Sequence, residues 1–199
     1  MATGLSRDRP DATRVLNRDT RPALDTLTGI ANRRLFEYQG EQALAVARRH
    51  HNDLALVLFR IDNLEDIAVQ LGLAQAKNLL HRIAVHLENN ARSHDTAGRL
   101  SRSRFGMLLP GTHELGAHKF AARLLVVLRR ATATPRVPCV ISGAVAATDT
   151  SGCERFSELD AYAAQRLTTA IAAGGNRVVS SFSAEQPEST SAPPTGLQF

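Results

Sequence analysis

The chain has 199 residues, 43% of them hydrophobic, with a mean hydropathy of -0.17, a formal net charge of +5 and an isoelectric point near 10.0. That size suits one domain with a sizeable core, and with no run of about 18 apolar residues and no apolar core behind the N-terminal charges, neither a membrane span nor a secretory signal is expected. The basic balance raises nucleic acid as a partner, but the arginines are scattered, aromatics are 5% and Trp is absent, so no stacking platform supports that class.

Residues 1–21 are polar and rich in Arg and Asp, and residues 183–199 are rich in Ser, Pro and Thr, so both read as linker or disordered tail. The folded unit is expected over residues 22–182. Helical spacing over residues 33–51 runs through Leu35, Phe36, Ala43, Leu44 and Ala47, and the unbroken apolar run at 54–61 predicts a buried strand. A second helical pattern covers 64–90, with a break expected near Gly72. Residues 97–100 and 105–109 predict a hairpin around a four-residue turn, stopped by Pro110 and Gly111.

Residues 114–130 are again amphipathic, and 137–147 predict a long strand entered after two prolines. A last helix over 157–173 stops at Gly174 and Gly175, before a short edge strand at 177–180. From the first strand this order contains β-α-β-β-α-β, the split βαβ arrangement, so an α+β fold with a mostly antiparallel sheet and helices on one side is expected. Cys139, in an apolar run, and Cys153, in a turn-like stretch, have no metal or disulfide spacing; a core thiol and a loop thiol are expected.

Two stretches carry a family resemblance. Residues 25–36, DTLTGIANRRLF, match a D-x-LTGL-x-NRR-x-F segment, and residues 92–110 read RSHDTAGRLSRSRFGMLLP. The chain resembles the GGDEF family, the bacterial diguanylate cyclases, with Ser101, Arg102, Ser103, Arg104 and Phe105 at the signature positions. Arg99, the strand ending in Leu108, Leu109 and Pro110, and Ser142 with Gly143 extend the likeness. The resemblance implies a ferredoxin-like nucleotidyl-cyclase palm and a cytoplasmic second-messenger protein.

The family's reaction joins two GTP molecules with the help of two Mg²⁺ ions, which need hard oxygen ligands. By the resemblance, the family's metal-binding acids fall on Arg60 and Arg104, with Ser103 beside them. Cations at those positions repel a dication. The signature glycines become Ser101 and Arg102, the guanine-reading positions become Ala68 and Lys77, and a phosphate-contacting Lys and Arg become Ile171 and Gly175. Glu65 stands where the family has Lys, and only Asp62 and Asn176 remain from those segments. Diguanylate cyclase activity is therefore not expected, and neither is Mg²⁺ or any other cofactor. The basic residues read either as drift after loss of catalysis or as a converted anion pocket.

Family members often carry a second, inhibitory site in which an Arg-x-x-Asp five residues ahead of the glycine pair binds cyclic di-GMP. Arg92 and Asp95 match it, and the family's further Arg on the following helix falls on Arg123. An Arg fork can meet guanine O6 and N7, and an Asp can accept from guanine N–H groups. Arg-x-x-Asp alone is also a common surface pair worth little, and His94 inside it reads as a solvated loop histidine. The sequence thus predicts a catalytically inactive receptor for cyclic di-GMP that relays occupancy to an effector protein, with ligand-linked dimerisation open. The competing expectation is a nucleotide-independent scaffold or regulator of another cyclase or phosphodiesterase. The receptor reading expects Arg92, Asp95 and Arg123 to converge on one open surface; without Arg123 it falls to the strength of the Arg-x-x-Asp alone.

Overall fold

The computed structural model describes residues 23–133 and 136–182; the expected linker at 1–21 and tail at 183–199 lie outside them. The elements run β1 (Ala31–Asn32), α1 (Arg33–His50), β2 (Leu54–Ile61), α2 (Leu64–Leu71), α3 (Leu73–Asn90), β3 (Thr96–Arg99), β4 (Arg104–Pro110), α4 (Glu114–Thr132), β5 (Ile141–Ala147), α5 (Thr148–Ser151), α6 (Phe156–Ala172) and β6 (Val178–Val179). They form one six-stranded sheet in the order β1-β3-β4-β2-β5-β6. The central pairs are antiparallel, and the short outer strands β1 and β6 join in parallel.

The central strand explains the layers. Every residue of β2 is buried except Arg60, so both faces of the strand need cover. Ala55, Val57, Phe59 and Ile61 pack with α2, α3 and α4 on one face, while Leu54, Leu56 and Leu58 pack with Phe36, Leu44, Phe156 and Leu159 of α1 and α6 on the other. Each fully buried Leu, Ile or Phe contributes about 1.5–3 kcal/mol, which fixes the register of β2. This corrects the expectation of helices on one side only: a strand apolar at both parities demands two helical layers.

Local signals set the boundaries. The Asn32 side chain accepts the Leu35 N–H at 3.0 Å and caps α1, whose last turn carries Arg48, Arg49 and His50 against the negative helix end. Gly72 has φ +88°, a conformation side chains rarely adopt, and this divides the long helical pattern into α2 and α3. The strand expected from residue 137 begins only at Ile141. Residues 138 and 140 are engaged elsewhere, since Asn63 Nδ2 donates to Pro138 O at 2.7 Å and the Val140 N–H donates to Asn63 Oδ1 at 3.0 Å.

The N-terminus of α4 is anchored by charge. Its cap residue, His113, supplies no side-chain hydrogen bond, and the Asp149 carboxylate accepts the Glu114 N–H at 3.1 Å instead. The Glu114 side chain is fully buried and takes Arg166 Nη1 at 2.6 Å, the Ser181 N–H at 2.7 Å and the Ser181 hydroxyl at 2.8 Å. Thr150 Oγ1 donates to its other oxygen, so one carboxylate ties α4, α5, α6 and the turn after β6 together. Among the described residues no helix is long and apolar enough to cross a membrane.

Candidate functional site

The signature turn is positioned by the segment that precedes α1. Asp25 accepts the Thr28 N–H at 2.9 Å and its hydroxyl at 2.7 Å, and it pairs with Arg99 Nη1 at 3.1 Å. Burial raises the Asp25 carboxyl, but these hydrogen bonds and the Arg99 charge outweigh it and leave the group below its usual range. Arg99 Nη2 then donates to Arg102 O at 3.0 Å, and the Leu100 N–H closes the turn on Arg104 O at 2.8 Å. On the β2 side the Ile61 N–H donates to Ser103 O at 3.0 Å.

Around this turn Arg60, Arg102 and Arg104 each meet an acid. Arg60 and Arg104 are direct partners in the β2–β4 register. Arg60 Nε lies 4.0 Å from Asp62 Oδ1, Arg104 Nη2 lies 3.9 Å from Asp160 Oδ2, and Arg102 Nη1 meets Glu65 Oε1 at 3.0 Å. The last pair is exposed and worth at most about 1 kcal/mol. The basic turn thus sits in a local balance of charge. Burial pushes the Asp62 carboxyl up, while Ser142 Oγ donates to its Oδ2 at 2.6 Å.

The remaining positions singled out in the sequence are spread around that end of the sheet. Ala68 is half-buried against the α2–α4 core, Ile171 packs on the α1–α6 core, and Lys77 is exposed with no ion pair. Gly175 has φ +73°, and a Cβ there would stand 2.8 Å from both Asp62 Oδ2 and Val140 Cγ1, so a longer side chain does not fit. Asn176, also at positive φ, accepts the Ile141 N–H at 3.3 Å and serves the backbone. Among the described residues no three His, Cys, Asp or Glu side chains are grouped to hold a metal ion. Both cysteines are free and half-buried, and burial pushes the Cys139 thiol up.

A second feature lies on the other flank, where α3 ends. The Asp95 N–H donates to Arg92 O at 3.1 Å, and the Arg92 N–H returns a bond to Asp95 Oδ2 at 2.8 Å, so the Arg-x-x-Asp spacing closes a reciprocal turn. Asp95 Oδ1 is buried and has no hydrogen-bond partner. The Arg92 guanidinium is exposed, with no ion pair or hydrogen bond among the described residues. Both residues line an open concavity of about 440 Å³ between α1, the end of α3 and β3, with Ala31, Leu35, Ala91 and Ala97 among its walls.

Of the three residues expected to converge, the structure brings Arg92 and Asp95 into this groove and leaves Arg123 outside its lining. Arg123 is exposed on α4, the helix packed beside α3, with its guanidinium 5.9 Å from the Phe120 ring centroid. His94 is exposed. Sequence reasoning missed Gln39 of α1, which lines the groove with a buried and unpartnered Oε1. Its only signal was its place one turn after Leu35, on the same face of the helix.

Known proteins place this architecture. A family profile described as "Diguanylate cyclase, GGDEF domain" matches residues 22–177. Diguanylate cyclase TpbB of Pseudomonas aeruginosa is 33% identical over 85 residues, which cover 43% of this chain and 20% of that protein. The probable diguanylate cyclase DgcE of Escherichia coli is 33% identical over 101 residues, covering 51% of this chain and 9% of that protein. The chain thus spans a fifth or less of the length of these curated relatives. The GGDEF domain of DgcB from Caulobacter crescentus, solved in complex with cyclic di-GMP, superposes with a TM-score of 0.73 at 20% identity, covering 82% of this chain and 96% of that one. Diguanylate cyclase SiaD of Pseudomonas aeruginosa, solved in complex with its activator SiaC, gives a TM-score of 0.69 at 24% identity, covering 84% of this chain and 64% of that one. With its sequence segments, its palm topology and the profile match in agreement, the chain belongs to the GGDEF family.

Proposed function

We propose that this GGDEF domain is a catalytically inactive receptor for cyclic di-GMP, which it binds in the Arg92–Asp95 groove and reports to an effector protein. The observation that carries the reading is the free Arg92 guanidinium beside the unpartnered Asp95 Oδ1 in one open concavity. A buried acceptor without a donor is costly, and guanine offers N–H donors to Asp95 together with the O6 and N7 acceptors that an Arg fork recognises. Arg123, on the neighbouring helix, lies outside the groove lining, so the reading rests on Arg92 and Asp95. A solved relative bound to cyclic di-GMP supports the ligand class, and another bound to an activator protein supports relay through a partner.

The absence of catalysis rests on the residues at the metal positions. Arg60 and Arg104 are cations, and Asp62 already takes the Ser142 hydroxyl. This donor set does not suit Mg²⁺, which requires several oxygen ligands in near-octahedral geometry. With Ala68 and Lys77 at the positions where the resemblance places the guanine readers, the guanine of GTP also lacks its partners.

Thermal unfolding of the full chain tests the proposal. A ligand at a hundred times its dissociation constant stabilises by about 2.7 kcal/mol. Cyclic di-GMP is expected to raise the melting temperature, and GTP with Mg²⁺ is expected to leave it unchanged. The reverse pattern would reject both halves of the reading.

One observation favours a second reading. Val69 and Leu73, at the α2–α3 junction, are 85% and 67% exposed, an apolar pair suited to a protein partner that needs no nucleotide. A partner complex of equal strength with and without cyclic di-GMP would select that scaffold role.

A further inference from the structure

We infer that Gln39 is a base-reading residue of the Arg92–Asp95 groove, selecting guanine over purines that lack its 2-amino group; this deepens the cyclic di-GMP reading and rests on it. Gln39 of α1, one turn after Leu35, lines the same concavity as Arg92 and Asp95. Its Oε1 is buried and has no hydrogen-bond partner. The same holds for Asp95 Oδ1, so two residues that line one groove each carry an orphaned acceptor, both closed off from solvent, with the exposed Arg92 guanidinium in the same lining.

Buried polar atoms are nearly always paired, and a turn of the Gln39 and Asp95 side chains toward the groove would let a ligand's donors satisfy both acceptors. The edge of guanine carries two adjacent donors, N1–H and N2–H, next to the O6 acceptor. With Arg92 on the acceptor side, Asp95 and Gln39 are matched in number and kind to the two donors. Hypoxanthine keeps N1–H and O6 but loses the 2-amino donor, and adenine loses N1–H as well. A base without the 2-amino group therefore leaves one of the two acceptors unpaired. A site built to hydrogen-bond a group discriminates strongly against the analogue that lacks it. Leu24, half-exposed at the groove, and Leu35 supply apolar surface for the face of the purine.

Calorimetric titration of the full chain with cyclic di-GMP and with its hypoxanthine counterpart, cyclic di-IMP, tests the assignment. The native chain is expected to prefer cyclic di-GMP by about tenfold, the scale of one buried hydrogen bond that is made or left unpaired. In Gln39→Leu the preference should fall to about twofold or less, through weaker cyclic di-GMP binding alone. The ratio is measured within one preparation, so it does not depend on the folded fraction, and Gln39→Met repeats the test with a different packing volume. Binding that is lost in Arg92→Ala but keeps its tenfold preference in both Gln39 variants would overturn the role of Gln39 and leave the receptor reading standing. No binding of either dinucleotide by the native chain would overturn both.

Discussion

Arg60 and Arg104 stand opposite each other on β2 and β4, and their guanidinium groups turn to different acids, Asp62 at 4.0 Å and Asp160 at 3.9 Å. Neighbouring like charges on paired strands are destabilising unless each is compensated. The compensation here is local, supplied by Asp62 and Asp160. Of the two sequence readings of these residues, internal pairing weakens the converted anion pocket.

This arrangement predicts that restoring acids does not restore an enzyme. The double variant Arg60→Asp, Arg104→Glu removes the cations, but Ala68, Lys77 and Ile171 still supply no nucleotide contact, and Gly175 has no room for a side chain. A sensitive assay for cyclic di-GMP formation from GTP and Mg²⁺ should read background for both the native chain and the variant. Turnover by the native chain would mean that catalysis survives on other ligands.

The Asp25–Arg99 clamp should be visible in acid. The folded pKa of Asp25 lies below its value of 3.8 in an unfolded chain, so its contribution is present above that pH and is lost as the pH falls through the folded pKa. Asp25→Ala removes the Thr28 bonds and leaves a largely buried Arg99 without its acid, at an expected cost of about 1–3 kcal/mol in denaturant titration at pH 7. The difference from the native chain should shrink below about pH 4, where unfolded Asp begins to protonate.

The Glu114 anchor makes a larger prediction. Glu114→Gln leaves Arg166, only 13% exposed, without its buried counter-charge, and a cost of about 3–5 kcal/mol is expected. His118, hydrogen-bonded to Ser180 at 2.9 Å, lies in the same cluster. Burial lowers its pKa below the usual 6.5, against the opposing pull of Glu114. A histidine held neutral in the fold contributes fully above pH 6.5, and that contribution is lost as the pH falls toward the folded pKa. Melting temperatures should drop between pH 7.5 and 5.5, and His118→Asn should flatten that slope.

Much of the fold was legible because β2 and the four long amphipathic helices α1, α3, α4 and α6 carry unambiguous patterns. The LTGIANRR segment announced the entry to α1, and SRSRF marked the hairpin turn. What escaped notice depends on contacts distant in sequence. The two-residue strand β1 exists only through its pairing with Gly98 and Arg99, whereas the short edge strand expected at 177–180 is present as β6, beside Gly143 and Ala144. The late start of β5 follows from Asn63, roughly eighty residues earlier, taking the backbone of Pro138 and Val140. At the groove, Arg92 and Asp95 were readable because their spacing is itself the turn. Gln39 was not, because a single amide on a helix face says nothing until the opposite wall is in place.

The proposed receptor function turns on one side chain, and isothermal titration of the full chain with cyclic di-GMP, native against Arg92→Ala, tests it most directly. The account predicts saturable binding by the native chain and at least about a tenfold loss in the variant, the scale of one bidentate arginine contact, with unchanged melting of the free proteins. No binding at tens of micromolar, an order of magnitude set by roughly −6 to −7 kcal/mol, or an affinity indifferent to Arg92→Ala, would contradict it.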